Sequence, residues 1–74
     1  MKTECPVLVN ERVLVDGVDY AKAFVKSMRW LSEQDRWQII LRWEWIDGTP
    51  MSGDGSVVYS SDYGKLFFKY LEVN

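Results

Sequence analysis

Residues 36–46, RWQIILRWEWI, place Trp37, Ile39, Leu41, Trp43 and Trp45 on one side of an extended chain. Arg36, Gln38, Ile40, Arg42, Glu44 and Ile46 fall on the other side. Successive side chains of a strand point to opposite faces, so this run reads as a strand with one bulky apolar face. That face has to be covered by other elements, which limits the chain to folds built around a sheet. With 74 residues there is room for one domain, spanning 1–74. A domain of that size buries only roughly 60–65% of its unfolded surface and depends on a dense core. Four Trp, four Tyr and three Phe supply one.

Other strands are marked by β-branched runs. Residues 6–9 (PVLV) and 12–15 (RVLV) flank Asn10-Glu11 and predict a hairpin, with Pro6 at an edge. Residues 56–60 (SVVYS) predict a short returning strand after the glycine-rich loop DGTPMSGDGS. The cover for the sheet is sought in two matching stretches, DYAKAFVKSM at 19–28 and DYGKLFFKYL at 62–71. At helical spacing, Tyr20, Ala21, Phe24, Val25, Met28 and Leu31 gather on one side of residues 19–33, and Lys22, Lys26, Arg29 and Glu33 on the other. Asp19 is placed to cap such a helix. Residues 61–72 repeat the pattern, with Tyr63, Phe67, Tyr70 and Leu71 inward and Gly64 as a weak point.

The expected architecture is therefore α+β. Two tandem ββα units, a candidate internal repeat of 5–33 and 36–73, form a four-stranded antiparallel sheet with two helices on one face. The alternative is an SH3-like all-β barrel with residues 20–30 as its second strand. The lysine periodicity in both copies argues for helices.

Composition excludes much chemistry. The chain has no His and one Cys, Cys5. Catalytic triads and zinc sites are thereby ruled out of consideration, and no metal or other cofactor is expected. Cys5 reads as a small half-buried hydrophobe, and its solitary thiol fits a reducing, cytoplasmic setting. The N-terminal residues lack the apolar run of a signal peptide, and no stretch has the length of a membrane span. Asp47 and Asp54 in the glycine-rich loop do not match a calcium-loop spacing and read as turn residues. The net charge of -2 disfavours nucleic acid as a partner.

What remains is an expectation of a non-enzymatic, self-associating protein-interaction module, of the kind found among accessory proteins of phages and mobile elements. Its open sheet face would present Leu14, Ile40, Arg42, Glu44 and Ile46, flanked by Leu8 and by Val58 or Tyr59. In a symmetric homodimer Arg42 would meet Glu44 of the second subunit. A protein partner is the other occupant of that face. The alternative is a small-molecule binding module with an aromatic pocket of Tyr20, Trp37, Trp43 and Tyr63. A single-stranded nucleic-acid binder, with Trp43 or Trp45 stacking on bases, ranks behind both.

Overall fold

The computed structural model describes residues 2–53 and 55–71. Five strands form one antiparallel sheet: β1 Arg12–Val15, β2 Ala21–Leu31, β3 Arg36–Trp45, β4 Ser56–Tyr59 and β5 Phe67–Lys69. Their order is β4-β3-β2-β1-β5, so the chain runs as a meander and then crosses back to pair β5 with β1. One short 3-10 turn, Ser60–Asp62, precedes that return. Among the described residues no helix is long and apolar enough to cross a membrane.

The α+β expectation is overturned: the protein is all-β, and neither helix exists. Residues 21–31 form the second strand, as the all-β alternative has it, but the sheet does not close into a barrel because β4 and β5 remain its two edges. Residues 6–9 are not a strand either. Residues 8–11 turn instead, with the Glu11 amide on the Leu8 carbonyl at 3.1 Å and Asn10 at a φ of 72°. β3 and β4 lie where the alternation placed them.

The physical reason for the first failed helix is a β-bulge. Opposed residues in an antiparallel pair share a face. The β2–β3 register pairs Ala21 with Trp45, Ala23 with Trp43 and Val25 with Leu41, then resumes with Ser27 opposite Ile40 and Met28 opposite Ile39. Lys26 is the extra residue, and the inward set becomes Ala21, Ala23, Val25, Met28 and Trp30. The step of three from Val25 to Met28 imitates a helical period. The second failed helix breaks at Gly64, whose φ of 85° lies in the left-handed region. The Gly64 amide donates to the Phe67 carbonyl at 2.9 Å and turns the chain into β5. The two matching stretches thus fold differently: one is a long bulged strand, the other a 3-10 turn, a reversal and a short strand.

The inner face carries the core. Val7, Val13, Ala23, Val25, Ile39, Leu41, Val58 and Phe67 are buried, with Cys5, Val15, Met28, Trp37 and Trp43 packed around them. Phe67 reaches it through β5, opposite Val15 of β1. Val7 reaches it from the N-terminal segment, which Trp37 pins by donating from Nε1 to the Thr3 carbonyl at 2.7 Å.

Deleting Lys26 removes the bulge and restores unbroken alternation, with Ser27 still opposite Ile40 and Met28 and Trp30 still inward. The deletion variant is expected to keep cooperative unfolding, because every inward side chain of β2 stays inward. Lys26→Ala keeps the bulge and is expected to change stability by no more than about 0.5 kcal/mol. Urea unfolding followed by Trp fluorescence reads both. Loss of the cooperative transition in the deletion variant would refute the assignment of Lys26 as the extra residue.

Candidate functional site

Because β4 and β5 do not meet, the curled sheet leaves a seam on its inner side. A cleft of about 460 Å³ lies there. Its floor is Leu41 and Trp43 of β3. One wall is Ser56, Val57 and Val58 of β4, and the other is Val15, Val18 and Leu66. Tyr20 and Met51 stand at its rim. Among the described residues no lining side chain is charged. The size falls within the range of small-molecule sites, which combine apolar walls with a few placed polar groups.

Local structure fixes these walls. Trp43 Nε1 donates to Ser56 Oγ at 2.8 Å, which orients the indole and satisfies its one donor. Met51 is held by its amide on the Trp43 carbonyl at 3.1 Å. The β3–β4 loop is braced further out by Asp47, whose carboxylate accepts from the Thr49 hydroxyl at 2.7 Å and from its amide at 2.9 Å. Those bonds favour the ionised form and hold the Asp47 carboxyl below its ordinary range. Gly55 brings the loop back against β3 so closely that a Cβ there would lie 2.3 Å from the Leu41 carbonyl oxygen. Val18 is positioned by its amide on the Val15 carbonyl at 3.1 Å, and Leu66 by its amide on the Asp62 carbonyl at 2.8 Å.

Of the four aromatic residues expected in one pocket, Tyr20 and Trp43 line this cleft. Trp37 lies elsewhere, beside Lys2, Thr3, Cys5 and Met28, with its ring edge-to-face on Trp30 at 5.7 Å. Tyr63 packs edge-to-face on Phe67 at 5.5 Å. The expected set rested on two helices roofing the sheet, and without them its members separate. Val15, Val18, Met51, Ser56 and Leu66 were not expected at a site. The pair of valines astride Asp16-Gly17 was the available signal, since the turn sends both toward the interior.

The residues expected on an interface fall on the outer face of the sheet. Ile40, Arg42 and Glu44 are there by register, and Leu14 stands opposite Phe68. Tyr59, opposite Gln38, joins them, whereas Val58 faces inward. Ile46 lies just past β3 in an exposed turn. Arg42 and Glu44 form an ion pair within the chain, and the Arg42 guanidinium also lies over the Phe24 ring at 4.5 Å. Among the described residues no group of three or more His, Cys, Asp or Glu side chains is placed to hold a metal ion, and Asp54 lies outside the described residues.

No protein-family model matches this chain, and no curated protein and no solved structure is significantly similar to it.

Cys5 sits against the core, and burial pushes its thiol above the ordinary value, with the nearby Glu11 carboxylate adding to the rise and a hydrogen bond from the Val7 backbone opposing it. The protonated thiol is the poorer nucleophile. Alkylation by iodoacetamide at pH 8 is therefore expected to run several-fold slower in the folded protein than in urea. Equal rates in the two states would contradict this placement.

Proposed function

We propose that this protein is a non-enzymatic binding module for a neutral, largely apolar small molecule, held in the seam cleft between β4 and the β1–β2 connection. The observation that carries the reading is an apolar cleft of about 460 Å³ with two aromatic rings and no charged side chain among the described residues of its lining. A charged ligand would lose its hydration there without a counter-charge, whereas a neutral aromatic one exchanges water for Leu41, Val58 and the Trp43 ring. Tyr20 at the rim offers a hydroxyl, and Ser56 retains acceptor capacity beside the indole. Among the described residues of the lining no His, Cys, Lys or carboxylate stands beside the Ser56 or Tyr20 hydroxyl to activate it, so the reading is of binding without turnover.

The test is titration with neutral aromatic probes, indole and N-phenyl-1-naphthylamine, followed by Trp fluorescence and by melting temperature. Saturable binding at one site is expected, and a ligand at ten times its Kd raises stability by about 1.4 kcal/mol. Leu66→Glu puts a carboxylate into the wall and is expected to weaken binding at least tenfold. An absence of saturation, or full binding in the Leu66→Glu variant, would defeat the reading.

Self-association is a second reading, favoured by the two uncovered sheet edges and by the exposed pair Leu14 and Phe68 beside one of them. Light scattering across a concentration series tests it. A dimer that Leu14→Lys converts to monomer supports this reading, and a monomer at every concentration defeats it.

A further inference from the structure

The outer face of the sheet has a charge opposite to that of the protein. Arg12, Lys22, Lys26, Arg29, Arg36 and Arg42, six of the nine cationic side chains, lie on it. Five are placed there by alternation, and Lys26 is the bulge residue beside Arg42 and Glu44. Among the described residues Glu44 is the only carboxylate within a strand. The other described carboxylates belong to turns, loops and the N-terminal segment. The net charge of -2 is thus a sum over two differently charged regions, and local field rather than the sum governs what approaches a face.

The same face carries a ladder of flat groups. Register sets Arg12 opposite Phe24, and Phe24 opposite Arg42. The Arg12 guanidinium lies 3.9 Å from the Tyr70 ring centroid, and Arg42 lies over Phe24. Tyr70, Arg12, Phe24 and Arg42 therefore alternate ring and guanidinium across the sheet. At the far end of β3, Arg36 stacks on Tyr59 at 3.7 Å. A guanidinium flattened on a ring presents its second plane outward, and such planes stack on nucleobases while the charge answers phosphate.

We propose that this outer face binds single-stranded nucleic acid, with bases stacked along the Tyr70–Arg12–Phe24–Arg42 ladder and phosphates drawn by Arg12, Lys26, Arg29 and Arg36. Lys22 contributes less, because Glu44 is its cross-strand partner and Asp47 is close by. An acidic peptide would use the charge and leave the stacking planes idle, so the combination favours a strand carrying both phosphates and bases. The site is separate from the seam cleft, which opens on the inner side of the sheet.

The experiment is fluorescence anisotropy of labelled dT12 and rU12 between 50 and 200 mM salt, with polyphosphate and poly-glutamate as competitors. Binding is expected with a log–log salt slope of about -2 to -3, the value for three or four single-strand phosphates at roughly 0.7 each. Polyphosphate and poly-glutamate are expected to compete at least tenfold less well than unlabelled dT12. Arg12→Lys, which keeps charge and loses the planar group, is expected to erode that preference, and Arg12→Glu to weaken binding about tenfold. Equal competition by polyphosphate or poly-glutamate would overturn the proposal in favour of a general anion or acidic-protein surface. An absence of dT12 and rU12 binding at 50 mM salt would overturn it outright, and both readings use the unmodified protein.

Discussion

One inserted residue decides how this sheet is built. With Lys26 looped out of the β2–β3 register, Ala21, Ala23 and Val25 before it and Met28 and Trp30 after it all face the core side. Were Lys26 paired in an unbroken ladder instead, the second half of β2 would turn Ser27 and Arg29 inward, against Ile39 and Trp37. The bulge also raises the local twist, which helps an open sheet of five strands to curl around Phe67 and Val7. The seam, the cleft and the basic outer face each depend on that curl.

The sequence was legible where alternation was unbroken. β3 keeps period two for ten residues, and its inward face, from Trp37 through Ile39 and Leu41 to Trp43, is the one its spacing indicates. β2 was not legible for two reasons. The bulge mixes a step of three into a period of two, and helical spacing places Phe24 inward with Tyr20, Val25 and Met28. Phe24 in fact shares the outer face with Lys22, and arginine rather than the core covers it. β5 was hidden by its length of three residues and by the turn around Gly64. Of the proposed cleft, Trp43 and Tyr20 were named from the sequence, but Val15, Val18, Met51 and Ser56 come from the connections and strands on either side of β3, and Leu66 arrives only with the return to β5.

Net charge proved a poor guide to surface chemistry in a chain this small. Turns need Asp and Asn for their backbone geometry, so carboxylates collect there for conformational reasons. Strand positions facing solvent favour long side chains whose stems can lie over apolar neighbours, as Arg12, Arg36 and Arg42 do on aromatic rings. The consequence is a segregation of sign between strands and connections. The proposed small-molecule cleft and the proposed nucleic-acid face then divide the sheet between them, one apolar and inward, the other cationic and outward.

The pairing of β5 with β1 joins Val15 to Phe67, far apart along the chain. Closing so long a loop costs entropy before any contact rewards it, whereas the β2–β3 hairpin turns within four residues, 32–35. During synthesis the hairpin can therefore form while Phe67 is still unmade. The nascent sheet has to wait with its inner surface incomplete, and the arrival of β5 decides when it becomes native.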